Sequence, residues 1–285
     1  MLITGKYKTS KYTIFKIYEP KEREIFRLPY YPDRIVHHAI MNIMEPIWVN
    51  MFVKNTYSCI KNRGIHKLVN DLKYDLSGDW NFDTTYCLKI DIHKFYPSIN
   101  NEILKKVIRH KIKDVRLLQL LDEIIDSAEG VPIGNYLSQF FANLYLTEFD
   151  HWIKEVLKVK YYYRYCDDIV ILDGSKSTLH LWRSEIEYYL LNNLKLTLKP
   201  NYQIFPVDTR GIDFVGYVFR HRYTKLRKSI KKNMFRKVIA QSKYIKDTIT
   251  RHDKIAAYYG WLKYCNSKQL KIKLNSYYGE EIFRV

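Results

Sequence analysis

Apolar and polar positions along the 285-residue chain change period several times, and each change predicts an element. CLKIDI (87–92) is a short apolar run of strand composition that Pro97 brings to an end. Residues 101–112 read as a short helix. From Ser138 to Leu157 the run SQFFANLYLTEFDHWIKEVL holds neither Gly nor Pro and is rich in helix formers, which predicts one long helix. YYYRYCDDIVIL (161–172) reads as two β segments around a tight turn at Cys166, Asp167 and Asp168. Residues 178–194 carry another helical pattern, and KLTLKPNYQIF (195–205) alternates as a strand does. The order β-α-α-β-β-α-β predicts an α+β fold, an antiparallel sheet with helices packed on one face. No internal repeat, low-complexity tract or Gly/Ser linker divides the chain.

Composition narrows the class. Hydrophobic residues make up 47% and charged residues 27%, as in a globular protein with a proper core in one large domain or two modest ones. No apolar run reaches the ~18 residues of a membrane span. The first twenty residues lack the continuous apolar stretch of a secretory signal, so the expectation is a cytoplasmic protein with no membrane attachment. Cys59, Cys87, Cys166 and Cys265 show no C-x-x-C spacing, which argues for reduced thiols rather than a zinc site or a disulfide framework.

Charge changes the picture most. Lys and Arg total 48 against 30 acidic residues, a net +18 that favours a polyanionic partner, since phosphate neutralisation releases counterions. Residues 220–254 hold thirteen Lys/Arg and two Asp, so 13 − 2 = +11 of that charge. Ile230, Met234, Val238 and Ile245 fall there near helical spacing, with Lys228, Lys231, Lys232, Arg236 and Lys237 between them. The segment reads either as a basic helical module gripping a nucleic-acid backbone or as a solvated helix face. The 26 tyrosines suit base stacking, although most are expected in the core.

The chemistry gathers on three acids. Asp167 and Asp168 are adjacent and flanked by apolar β-formers, and Asp91 ends the apolar strand CLKID. Such acids repel one another and are poorly solvated unless a cation joins them. Converging on one sheet edge, they would make a hard oxygen site for two Mg²⁺ ions, which can activate a 3′-hydroxyl and neutralise a leaving pyrophosphate. His37, His38 and His66 have no metal-ligand spacing, and Gly64, Gly130 and Gly134 do not form a P-loop.

With these residues set out, the chain resembles a reverse transcriptase. YRYCDDIVIL is similar to the Tyr-x-Asp-Asp hairpin of that family, and LKIDIHKFYPSI to its first catalytic motif. GVPIGNYLSQFFANLYLTEFDHWI resembles the loop and helix between them, and GIDFVGYVF (211–219) the primer-grip hairpin. EREIF, YPDRIVHHAI and YSCIKNRGIHKLV resemble the fingers of the prokaryotic, group II intron-like branch. Most relatives carry Gln-Gly and Ser-Pro in the middle motif, whereas this chain has Ile133-Gly134 and Ser138-Gln139. That pattern is similar to the enzymes of diversity-generating retroelements, which copy a template RNA with errors at adenines. The tail AAYYGWLKYCNS resembles their thumb, and Cys166 departs from the residue usual before the acid pair.

The resemblance implies a right-hand polymerase: fingers in 1–86, palm with embedded helices in 87–219, and a short basic helical thumb in 220–285. It implies an RNA-directed DNA polymerase in a bacterial or phage-infected cell, using two Mg²⁺ ions with Mn²⁺ as a substitute. Asp91 and Asp167 would bridge the metals, the Ile92 carbonyl would be a further ligand, and Asp168 would contribute less directly. Tyr96 would stand at the steric gate against a ribose 2′-hydroxyl, its alternative being a packed core Tyr. Arg23 would lie over the incoming nucleotide, with Arg34 as a second candidate. Ile133, Gly134 and Gln139 would line the nascent base pair. Lys199 would approach the pyrophosphate, its alternative being a solvated Lys. Implied partners are template RNA and primer, the RNA–DNA duplex, dNTPs and a small basic accessory protein, a pentameric helical barrel. Retron, CRISPR-associated and phage-defence reverse transcriptases remain open, as does a non-catalytic nucleic-acid-binding relic.

Overall fold

The computed structural model describes residues 1–18, 22–78, 81–244, 248–278 and 283, and leaves the side chains of 81, 241–255 and 278 undescribed. In chain order the elements begin with β1 (Thr13–Ile17), β2 (Arg23–Arg27), α1 (Ile35–Val49) and α2 (Ile65–Leu76). Next come β3 (Tyr86–Asp91), α3 (Phe95–Ser98), α4 (Asn101–Lys111), α5 (Val115–Ile125), α6 (Ser138–Tyr145) and α7 (Thr147–Glu155). The hairpin strands β4 (Tyr161–Tyr165) and β5 (Asp168–Asp173) precede α8 (Lys176–Leu194), β6 (Gln203–Pro206) and α9 (Val207–Arg210). The chain ends with β7 (Ile212–Phe214), β8 (Tyr217–Phe219), β9 (Thr224–Leu226), α10 (Lys228–Tyr244), α11 (Thr248–Lys263) and α12 (Lys268–Tyr278). Mixed helix and sheet is the predicted class.

The described chain clusters into two compact units. The first comprises residues 1–64, 88–172 and 177–204, the second 65–87, 173–176 and 205–285. The central sheet has the order β4-β5-β3-β6, with β4 and β5 antiparallel in the register Tyr165↔Asp168. Its middle positions are apolar or aromatic and buried: Leu88 and Ile90 on β3, Tyr162 and Tyr163 on β4, Ile169 to Leu172 on β5. Burying such a side chain contributes about 1.5–3 kcal/mol, so this hydrophobic slab fixes where the strand ends fall. Helix α4 is capped by Asn100, whose side chain accepts from the Ile103 amide, and α5 likewise by Asp114. Both helices bury an apolar stripe, Leu104, Val107 and Ile108 on α4 and Leu121, Ile124 and Ile125 on α5.

Three expectations need correction. The long helix over 138–157 is two helices, because Leu146 leaves helical geometry at φ −93°, ψ 1°. The strand over 195–205 is also interrupted: Leu198 forms a single antiparallel bridge to Ile92, and β6 starts only at Gln203. Pro200 lies between them and has no N–H to give to a ladder. Nor do the tyrosines concentrate in the core. Tyr7, Tyr57, Tyr145, Tyr162, Tyr163 and Tyr217 are buried, but Tyr18, Tyr30, Tyr74, Tyr136 and Tyr188 are more than half exposed.

In the second unit, β7, β8 and β9 form a three-stranded antiparallel sheet. The predicted hairpin at 211–219 is there, with one strand more. Helix α10 packs on α11 and α12 and buries Met234 and Val238, while Lys228, Lys231, Lys232, Arg236 and Lys237 stay exposed. Ile230 is half-buried, and Ile245 lies outside the described residues.

Candidate active site

Strands β3 and β5 are neighbours, and their ends bring the sequence-predicted acids together. Asp91 is the last residue of β3 and Asp168 the first of β5, with Asp167 in the turn between β4 and β5. The Ile92 amide reaches the Asp167 carbonyl at 3.4 Å, stitching the two strand ends to each other. On the other side of Asp91, residues 197–199 run alongside: the His93 amide donates to Thr197, and the Lys199 amide to the Asp91 carbonyl at 2.9 Å. This backbone pairing delivers the Lys199 ammonium to Asp91 Oδ2 at 2.6 Å.

Lys199 offsets only part of the negative charge that Asp91 and Asp167 bring together. Burial, and then the Asp91 charge, push the Asp167 carboxyl above the usual carboxylate range, with Asp168 adding to the shift and Lys199 opposing it. Asp91 Oδ1 is buried and has no hydrogen-bond partner. A divalent cation would relieve both defects, so the donors fit a hard metal ion. Among the described residues no three His, Cys, Asp or Glu side chains close into a metal cage. Mg²⁺ does not require one, because it binds through one or two carboxylates together with substrate phosphates and waters.

Tyr96 joins this cluster to a cavity of about 990 Å³, which it lines with Arg34, Ile133, Gly134, Tyr136 and Gln139. Its hydroxyl lies 3.3 Å from Cys166 Sγ in the acid-bearing turn, and burial pushes its pKa far up, so it stays protonated. The cavity wall is fastened by backbone contacts. The Val131 amide donates to the Tyr96 carbonyl at 2.9 Å, and the Phe26 amide on β2 to the Ile133 carbonyl at 2.8 Å. Gly130, at φ +65°, leaves no room for a side chain, since a Cβ would lie 2.7 Å from the carbonyl oxygens of both Tyr96 and Pro97. Tyr136 stacks on His38 at 5.5 Å across the same cavity. Arg34 lines it; Arg23, exposed at the start of β2 and paired with Ile17, is not among its lining residues. The basic residues of α10 belong to the second unit.

Sequence reasoning missed the polar network under the turn. Arg164 is fully buried on β4 and paired with Asp150 on α7, which also accepts from the Tyr162 and Thr56 hydroxyls at 2.6 and 3.0 Å. The signal was present. An Arg in the middle of the aromatic run YYYRY must find a carboxylate if that strand is buried.

The comparisons with known proteins agree with this geometry. Residues 20–219 match the family described as Reverse transcriptase (RNA-dependent DNA polymerase). The chain is 26% identical over 261 residues to Protein YkfC of Escherichia coli K12, covering 74% of this chain and 68% of that protein. It is 20% identical over 269 residues to the group II intron-encoded protein LtrA of Lactococcus lactis subsp. cremoris, covering 68% of this chain but 44% of LtrA. In fold it is similar to apo telomerase of Candida tropicalis, with a TM-score of 0.64 at 12% identity over 95% of this chain and 60% of the telomerase chain. Telomerase of Candida albicans in complex with a fragment of telomeric RNA gives a TM-score of 0.56 at 12% identity, over 97% of this chain and 61% of that one. At such identities the likeness concerns fold alone. Paired carboxylates at the strand ends, a polymerase-type fold and a family match across most of the length lead to one statement: the chain belongs to the reverse transcriptase family, the RNA-dependent DNA polymerases.

Proposed function

We propose that the chain copies a template RNA into cDNA by two-metal-ion nucleotidyl transfer, with errors concentrated at template adenines. The observation that carries the polymerase reading is the meeting of Asp91 and Asp167 at adjacent strand ends, with a buried Asp91 oxygen left unpartnered. Asp91, Asp167 and the Ile92 carbonyl would hold Mg²⁺, or Mn²⁺ in its place, with Asp168 beside them. When bound, such ions lower the pKa of a primer 3′-hydroxyl and offset the charge on the transferred phosphate. Tyr96 would exclude a ribose 2′-hydroxyl, and Lys199 would leave Asp91 for the pyrophosphate. Arg34 and Arg23 would approach the incoming nucleotide, and the exposed lysines of α10 would hold the duplex. On this reading the fingers are residues 1–86, the palm 87–219 and the thumb 220–285. Template RNA, primer, dNTPs and a small basic accessory protein in a bacterial cytoplasm complete the proposal.

The mutagenic part rests on Ile133. Its carbonyl is taken by Phe26, and its side chain offers the cavity an aliphatic surface with no polar check on a base pair. Lost polar or shape discrimination of this kind is worth about 1–3 kcal/mol, enough to make one template base error-prone. The test is sequencing of cDNA made by the full chain with Mg²⁺, its native RNA and any neighbouring small protein. The wild type should misincorporate opposite adenine, and Ile133→Gln should lower that error rate more than it lowers synthesis. Adenine copied as accurately as the other bases would end the mutagenic assignment and leave the polymerase one standing. A retron, CRISPR-associated or defence enzyme would then be the better reading.

A further inference from the structure

The two-residue loop that carries Asp167 is held in an unfavourable conformation. Cys166 has φ +58°, in the left-handed region where an L side chain is disfavoured and where hairpin turns commonly place Gly. Such a residue persists only when its surroundings over-determine it. The Tyr96 hydroxyl touches the Cys166 sulfur, and the Ile92 amide reaches the Asp167 carbonyl only at 3.4 Å. The charged donor on the loop comes from beneath it: Arg164 Nη1 donates to the Cys166 carbonyl at 3.0 Å.

All five N–H groups of the Arg164 guanidinium have acceptors. Nε donates to Asp150 Oδ1 at 2.8 Å, and Nη2 to Asp150 Oδ2 at 2.5 Å with Thr56 Oγ1 at 3.5 Å. Nη1 divides between Asn143 Oδ1 at 3.1 Å and Cys166. The Arg164 backbone is fixed as well, its amide donating to the Asn55 carbonyl and its carbonyl accepting from the Tyr57 amide. Neutralising a buried arginine needs only the carboxylate. The bond to Cys166 is not required for that, and it is the one that reaches the loop.

We propose that Arg164 is a positioning residue for the metal-binding turn. Its guanidinium, charge-balanced by Asp150, clamps the Cys166 carbonyl and so holds the left-handed loop that aims Asp167 at Asp91. The idea rests on the polymerase reading above for the identity of the metal site. A lysine could keep the charge and the Asp150 pair, but its single ammonium cannot span Asp150, Asn143 and the loop carbonyl together.

The test measures Mn²⁺ binding to the full chain by electron paramagnetic resonance, without nucleotide, beside thermal melting. Arg164→Lys should weaken Mn²⁺ binding roughly tenfold, the range found for groups that orient metal ligands. Leu72→Ala, buried on α2 in the second unit, should lower the melting temperature and leave Mn²⁺ binding unchanged. Cys166→Gly added to Arg164→Lys should restore part of the binding, because Gly adopts the loop conformation without a clamp. Should Arg164→Lys fail to fold, Arg164→Gln with Asp150→Asn replaces the ion pair by neutral amides and carries the same expectation. Wild-type Mn²⁺ binding in a folded Arg164 variant, an equal loss in Leu72→Ala, or no recovery with Cys166→Gly would each overturn the proposal. A wild type that binds Mn²⁺ yet extends no primer on an RNA template would instead overturn the polymerase reading.

Discussion

At position 167 a carboxylate must stay charged where burial and the neighbouring Asp91 both oppose it. Asp167→Asn should therefore abolish Mg²⁺-dependent primer extension and leave the melting temperature unchanged or higher. Extension at the wild-type rate would remove Asp167 from the site. Tyr96→Ala should raise the kcat/KM for ribonucleotides relative to deoxynucleotides by tens of fold, about the effect of a lost steric contact. An unchanged ratio would return Tyr96 to a packing role. His37 is a different case. It is buried with Nε2 unpartnered, and burial, only partly offset by Asp33, pushes its pKa down to about 4 from 6.5. Below pH 6.5 the unfolded chain binds a proton that the folded chain refuses, so stability falls as pH drops from 6.5 to 4. The loss should approach about 3 kcal/mol, and His37→Gln should flatten that stretch of a melting-temperature profile. The strand-end acids were legible in the sequence because apolar β-formers flank them along the chain and leave them only half-exposed. His37 was not, because burial of a histidine on α1 depends on elements far along the chain.

Elements are where the local pattern succeeded and failed in instructive ways. The hairpin at 161–172, two runs of β-formers around a turn, and the helix near 178–194, a stretch without Gly or Pro, are both present. The break at Leu146 has no Gly or Pro to announce it; α6 buries nearly its whole surface, so packing rather than propensity decides its direction. Between α5 and α6 the chain is stitched to the Tyr96 carbonyl through the Val131 amide, with Gly130 packed against the same carbonyl. Gly130→Ala would drive a methyl into two carbonyl oxygens and force a positive φ, so it should cost about 1–3 kcal/mol in chemical denaturation. A neutral substitution would mean that the loop and the turn move apart freely. On α10 the burial of Met234 and Val238 turns a run of lysines outward. Replacing Lys231, Lys232 and Arg236 by Ala should weaken primer–template binding whatever its sequence and flatten the slope of log K against log salt by about 0.9 per lost phosphate contact. An unchanged slope would mean that the helix is merely solvated.

Across the whole molecule, composition and period were enough for the α+β class, since each strand and helix pattern agreed with its neighbours. The clustering into two units was not readable. It sets α2 with the C-terminal helices, for instance through His66 stacked 4.1 Å from Tyr264, a pairing across nearly two hundred residues that no local pattern encodes. The net charge of +18 marked a polyanionic partner without saying which face would meet it. Likewise, the Arg164–Asp150 pair joins a strand to a helix that the sequence displayed separately, and only their packing made the two a unit.

Gly134 carries a further consequence. At φ +116° it lies under the β1–β2 hairpin, where a Cβ would stand 2.9 Å from the Phe26 carbonyl oxygen and 3.0 Å from Ile25 Cγ2. A laboratory selection that randomised residues 133–139 for altered accuracy would thus explore an uneven space. Codons for Ile133, Asn135, Tyr136 and Gln139 should diversify, while surviving clones should return glycine at 134 whatever accuracy is selected.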